Sequence, residues 1–365
     1  MENMEITNTE MFDGIYNDKT VLVTGHTGFK GSWLSIWLRK LGATVIGYGL
    51  DPYTKNDNFV ATGLKDKIVD IRGDLRDSEK LERVFDEYKP EFVFHLAAQP
   101  LVRLSYDIPK ETYEVNVMGT LNVLECIRKS SSVKVGVMIT TDKCYENKEQ
   151  IWGYREDDAM GGYDPYSSSK GCAELLISSY RNSFFNPKDY ENHGKSIASV
   201  RAGNVIGGGD WAKDRIVPDC IKAIQENRTI EIRSPYATRP WQHVLEPLSG
   251  YLLLGSKMYN NPIKYSEGWN FGPDADGIQP VKNVVEYILE FWGSGNWKDV
   301  SNGEHVHEAN LLSLDCTKAK QFLKWNPKLK LYEALRYTVE WYKNFNSMDT
   351  YELCVNQINQ FSKIK

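Results

Sequence analysis

The sequence predicts an α/β fold: a Rossmann-type, doubly wound parallel sheet with a smaller, discontinuous C-terminal substrate domain. Three observations carry this. Over the first 200 residues, short β-branched runs alternate with helical patterns. A glycine-rich turn joins the first strand to the first helix. After Gly203 the rhythm gives way to turns rich in Gly, Pro and Arg. Strand–helix alternation of this kind means parallel strands joined by crossover helices. The expected boundaries are an N-terminal extension over 1–17, a dinucleotide-binding domain over 18–205 plus about 241–272, and a substrate domain over about 206–240 plus 273–365.

Thr20-Val-Leu-Val-Thr24 has the continuous apolar character of a buried strand. In 31–41, Trp33, Leu34, Trp37, Leu38 and Leu41 recur at helical spacing, and Gly42 supplies a C-cap; Trp33 and Trp37 read as core packing. Further strands are expected at 43–48, 68–71, 92–96, 135–140 and 197–201, with helices after Asp77, after Pro109 and around Lys170.

Between the first strand and helix lies Thr24-Gly-His-Thr-Gly-Phe-Lys-Gly31. Gly25, Gly28 and Gly31 allow a tight turn, a close approach to a pyrophosphate and helix-on-strand packing, and the helix N-terminus adds unpaired N–H groups. His26, Thr27, Phe29 and Lys30 complete the loop; His26 and Lys30 either touch phosphates or stay solvated. The second strand ends at Gly49 and an acid, Asp51, follows, with no Arg immediately after it to meet a 2′-phosphate. The expected cofactor is NAD rather than NADP. Gly207-Gly-Gly209 lacks the strand–helix context and reads as a flexible loop.

Tyr166-Ser-Ser-Ser-Lys170 puts a phenol and an ammonium one helical turn apart on one face. The ammonium is expected to lower the phenol's pKa and make it a base for a hydroxyl that loses hydride. Tyr106 and Lys110 repeat the spacing, but Pro109 at a helix start leaves Tyr106 outside, so that pair reads as structural. Thr140-Thr-Asp-Lys-Cys-Tyr145 lies at the carboxyl end of a strand, where open α/β sheets place their sites. Asp142 and Lys143 there supply an acid and a base, or a surface ion pair. Arg201, Arg215, Arg233 and Arg239 suit the oxygens of a diphosphate, some of them being merely solvated.

The net charge of −5 offers no global field for nucleic acid, and no apolar run approaches the length a membrane span needs. Residues 1–17 lack the apolar core of a signal peptide, and six scattered cysteines form no CxxC pair. A cytoplasmic protein without metal is expected; His305, His307 and Glu308 lack a second ligand cluster.

The segments TGHTGFKGSWL, HLAAQPLVR, TTDKCYEN, WGYREDD, GGYDPYSSSKGCAELL, RAGNVIGGGDW and RPWQHVLEPLSGYLLL resemble the extended short-chain dehydrogenase/reductase family, within it the nucleotide-sugar 4,6-dehydratases. The resemblance covers roughly 18–345. It implies NAD-dependent conversion of CDP-D-glucose to CDP-4-dehydro-6-deoxy-D-glucose, in deoxysugar biosynthesis of the lipopolysaccharide O-antigen type. Gly25, Gly28 and Gly31 would hold the pyrophosphate, Asp74 and Leu75 the adenine, and Ala97, Ala98 and Gln99 the ribose and nicotinamide side. Tyr166 would be the C4 base, tuned by Lys170 and joined at the same oxygen by Thr141. Asp142 would protonate the leaving C6 hydroxyl and Lys143 take the C5 proton. The dTDP-glucose enzymes carry Glu in place of Lys143, which leaves the division of roles between the pair open. Asn204, Arg215 and Arg239 would hold the nucleotide diphosphate, and a homodimer through a four-helix interface is implied. Alternatives are a UDP-N-acetylglucosamine, dTDP-glucose or GDP-mannose type of dehydratase, a 4-epimerase, and a non-enzymatic NAD-sensing regulator.

Overall fold

A computed structural model describes residues 11–301 and 311–364. Seven strands form one parallel sheet: β1 Thr20–Thr24, β2 Thr44–Gly49, β3 Val69–Arg72, β4 Phe92–His95, β5 Val135–Ile139, β6 Ser196–Arg201 and β7 Gly268–Asn270. Their order is β7-β6-β5-β4-β1-β2-β3, every pair parallel. The order reverses direction between β1 and β4, and open α/β sheets bind ligands at the carboxyl ends beside such a switch. All six predicted strands form, displaced by a residue or so at their ends.

The crossover helices are α1 Phe29–Lys40, α2 Ser78–Tyr88, α3 and α4 Pro165–Ser183. Helix α3 starts at Pro109, passes a π-turn over Glu114–Met118 and ends at Lys129. Gly42 follows the C-cap of α1 at φ +87°, as its C-terminal role requires. Trp33 and Trp37 are fully buried in the main apolar core.

Beyond β6 the chain makes α5 Ile216–Gln225, α6 Leu245–Asn260, α7 Val281–Trp292, α8 Leu331–Asn344 and α9 Thr350–Lys363. Among the described residues, three two-stranded ladders stand apart from the main sheet. Thr238–Pro240 pairs antiparallel with Ile278–Pro280, and Ile230–Ile232 pairs parallel with Trp297–Asp299. The third, Val205–Ile206 with Gln242–His243, is parallel. Helix α9 returns to the first half of the chain, where Phe361 packs edge-on to Trp37 at 5.9 Å.

Two expectations need correction. Gly207-Gly-Gly209 is no flexible loop: all three residues are buried, and the Gly208 carbonyl accepts from Trp33 Nε1 at 2.9 Å. Residues 11–17, read as part of an extension, lie on the core, with Tyr16 buried and its hydroxyl donating to the Leu252 carbonyl at 2.6 Å. Residues 1–10 lie outside the described residues, as do His305, His307 and Glu308.

Candidate active site

The glycine turn forms as its spacing requires. A Cβ on Gly25 would lie 2.7 Å from the Ala97 nitrogen, and one on Gly31 would lie 2.1 Å from the Gly25 carbonyl oxygen. The turn therefore has room only for glycine, and it leads into the N-terminus of the twelve-residue α1. Helical N–H groups of that first turn have no intrahelical partner. Thr24 Oγ1 ties the turn to β4, accepting from Ala97 N at 3.2 Å. Thr27 is buried, Phe29 half-buried, and Ala97 and Ala98 half-buried beside them. This bare backbone cradle, formed at Gly25, Gly28 and Gly31, has the shape and N–H groups to fit a dinucleotide pyrophosphate.

Neither expectation for His26 holds. It is fully buried, its Nε2 2.7 Å from Asp70 Oδ1, and it occupies the space above Gly47 that a side chain would fill. Burial, ahead of the opposing Asp70, lowers its pKa below the ordinary value. Lys30 points into the site: burial, then the charges of Lys170 and Arg215, lower its pKa to about 8 against the pull of Asp142.

Asp164 caps α4 by accepting from Ser167 N at 2.9 Å, and Pro165 occupies its first turn. That start points Tyr166 inward, with its backbone N–H donating to Ser105 Oγ at 3.2 Å. Tyr166 and Lys170 are both buried. Burial pushes the Tyr166 phenol up to about 12; a hydrogen bond with Thr141 and the charge of Arg215 oppose this, while Asp142 adds to it. The expectation that Lys170 brings the phenol down is thus corrected. Desolvation outweighs the Thr141 hydrogen bond and the Arg215 charge. Lys170 is itself brought down to about 8 by burial, opposed by Glu174.

Beyond β5, Thr141 Oγ1 donates to Asp142 Oδ1 at 2.9 Å. Asp142 is buried, and its Oδ2 has no hydrogen-bond partner. The carboxylate sits where a Cβ on Gly203 would be, 1.8 Å from Oδ2, so only glycine at 203 leaves it room. Lys143 is half-buried. Thr141, Asp142, Tyr166, Lys170, Lys30 and Arg215 therefore form one polar cluster beyond the carboxyl ends of β1 and β5.

Arg201 is a correction. Rather than facing a phosphate, it is buried and paired with Glu174 at 2.9 Å, one helical turn beyond Lys170. Its NH1 also donates to the Tyr145 hydroxyl. Burial raises the Glu174 carboxyl, but Arg201, Thr140 and Ser199 outweigh it and hold it below the usual carboxylate range. Arg215 pairs with Asp210 at 2.7 Å, and Arg233 and Arg103 share Asp214 at 3.3 and 3.4 Å. Arg239 is half-buried, as is Asn204, which holds a left-handed backbone at φ 47°. The Asp74 carboxylate is engaged by Arg76, its carbonyl accepts from the Tyr48 hydroxyl at 2.8 Å, and the Leu75 carbonyl accepts from Asn122 Nδ2 at 2.8 Å. Tyr106 and Lys110 stay outside the cluster: Tyr106 is 41% exposed and Lys110 pairs with Glu114.

Asn116 was missed. Its Oδ1 accepts from Gln99 N at 2.9 Å and its Nδ2 donates to Ser169 Oγ at 2.9 Å, pinning the loop after β4 to α4 beside Tyr166. It sits in the π-turn of α3, a feature with no local sequence signal.

The family model described as GDP-mannose 4,6 dehydratase matches residues 22–258. The chain belongs to that family. Among its relatives is the CDP-glucose 4,6-dehydratase of Salmonella typhimurium, 54% identical over 330 residues, 90% of this chain and 91% of that protein. The dTDP-D-glucose 4,6-dehydratase of Homo sapiens is 27% identical, over 92% of this chain and 93% of its own. Among solved structures, dTDP-glucose 4,6-dehydratase from Bacillus anthracis in complex with NAD matches at TM-score 0.74 and 23% identity. It covers 90% of this chain and 98% of that one. Epimerase Mth375 from Methanothermobacter thermautotrophicus matches at TM-score 0.76 and 25% identity, over 94% of this chain and 96% of its own. As in these relatives, the sheet is the frame of an extended short-chain dehydrogenase/reductase.

Proposed function

We propose that the chain is a hydro-lyase that dehydrates CDP-D-glucose to CDP-4-dehydro-6-deoxy-D-glucose. The observation that carries this is the buried Asp142 oxygen without a partner, held within the cluster of Thr141, Tyr166 and Lys170. An epimerase has no use for such a group, because it expels no hydroxyl. A dehydratase needs an acid there.

NAD bound on the glycine turn would supply reversible hydride acceptance. Tyr166 takes the proton from the sugar C4 hydroxyl, with Thr141 hydrogen-bonded at the same oxygen and Lys170 on the cofactor ribose. The resulting ketone acidifies the C5 proton, which Lys143 removes while Asp142 delivers its proton to the departing C6 hydroxyl. Asn204, Arg215 and Arg239 hold the diphosphate.

The reading divides the chain into a dinucleotide domain, 18–205 with about 241–272, and a sugar-nucleotide domain from the rest. Its support is the break after β6, where the ladders leave the main sheet. Dimerisation through α3 and α4 is supported by Tyr113, Met118 and Leu175, which stand 37, 50 and 61% exposed there. Six free cysteines favour the reducing cytoplasm, where the product would feed deoxysugar assembly of the O-antigen type.

The test is turnover of purified protein with CDP-, UDP-, dTDP- and GDP-hexoses, read by the alkali-dependent absorbance of 4-keto-6-deoxy products. CDP-glucose is expected to be turned over first. Preference for another sugar nucleotide would overturn the substrate, and no turnover of any would favour a regulator.

A further inference from the structure

At the open ends of β2 and β3 lies a charge chain that the chemistry above does not use. Arg72, the last residue of β3, pairs in register with Gly49, the last of β2. Its NH1 donates to the Leu50 carbonyl at 3.0 Å, its NH2 to Asp70 Oδ2 at 3.0 Å, and its Nε lies 3.6 Å from Asp51 Oδ1. The guanidinium carbon lies over the Phe59 ring, 4.8 Å from its centroid. The other oxygen of Asp70 is taken by His26. Arg72 is thus locked from behind, and only its contact with Asp51, 88% exposed, faces outward.

This is the edge of a Rossmann sheet where an acid accepts the 2′-hydroxyl of NAD, and where an arginine accommodates the 2′-phosphate of NADP. Here both stand side by side. We infer that Asp51 and Arg72 together set the choice of dinucleotide, Arg72 being a ready 2′-phosphate site that Asp51 closes by its charge. A 2′-phosphate arriving here meets the Asp51 carboxylate and must take Arg72 from it. The 2′-hydroxyl of NAD meets no repulsion. The sequence hides this arginine, because it comes from β3, some twenty residues beyond Asp51.

The inference rests on the nicotinamide reading, and binding without sugar separates the two. Titrate the full-length protein with NAD and with NADP by calorimetry. The wild type is expected to bind NAD at least about tenfold tighter than NADP. Asp51→Asn, at an exposed position that disturbs no packing, is expected to tighten NADP at least about tenfold. Asp51→Asn combined with Arg72→Gln should lose that gain, and Arg72→Lys in the same background should keep only part of it, having no planar fork. NADP affinity unchanged by Asp51→Asn, or a gain that survives Arg72→Gln, would overturn the inference while NAD binding leaves the cofactor reading intact. A wild type that binds neither dinucleotide overturns both.

Discussion

Tyr166 and Lys170 show how far a single residue's chemistry depends on its surroundings. Their spacing predicts a lowered phenol pKa, yet burial pushes it up to about 12 and the ammonium down to about 8. Each charged form loses its hydration, and the two groups move apart in proton affinity as a result. Outside the site, Glu246 is a second buried group of this kind. Burial raises its pKa to about 7, against two backbone N–H groups from Lys328 and Leu329 that donate to it. The folded chain then holds a proton that the unfolded chain releases near pH 4.5, so stability falls as pH rises from there to about 7. Glu246→Gln removes this titration and keeps the accepting oxygen. It is expected to gain stability over wild type between pH 5 and pH 8, by at most about 3 kcal/mol. Urea unfolding at both pH values measures the difference; a gap independent of pH would contradict it.

Among the elements, those legible in the sequence are the ones whose pattern is local. Six strands announce themselves by short β-branched runs, and α1 by its apolar spacing and Gly42. The glycine turn and the Tyr166–Lys170 face follow directly from residue type. The partners are less legible, because they are set by pairing across the sheet. Arg201 reads as a phosphate ligand until Glu174 from α4 meets it, Asn116 lies in an unannounced π-turn, and Arg72 reaches Asp51 from the next strand. The exposed apolar side chains of α3 and α4 carry the prediction at this scale. Leu175→Arg is expected to turn a dimer into a monomer of 41.8 kDa, measured by sedimentation velocity. A charged side chain buried at an interface without a partner is strongly unfavourable. A wild type that sediments as a monomer, or a variant that stays dimeric, would move the interface elsewhere.

For the molecule as a whole, the parallel sheet gathers at one edge the parts that the chain separates. The turn after β1, the segment after β5 and the start of α4 bring Lys30, Asp142 and Tyr166 together. Gly203, just past β6, leaves that carboxylate its space. The second half of the chain was legible as a change of rhythm with helical stretches; short ladders leave no periodic signal, and the apolar spacing of α9 does not say that it returns to pack on Trp37. In the proposed reaction one cluster both oxidises C4 and expels the C6 hydroxyl. Supply CDP-glucose deuterated at C4 and locate the label in the product by NMR. Deuterium is expected at C6 of a 4-keto-6-deoxy sugar, with the C5 hydrogen exchanged from solvent. Label retained at C4 of an epimerised or unchanged sugar would contradict it.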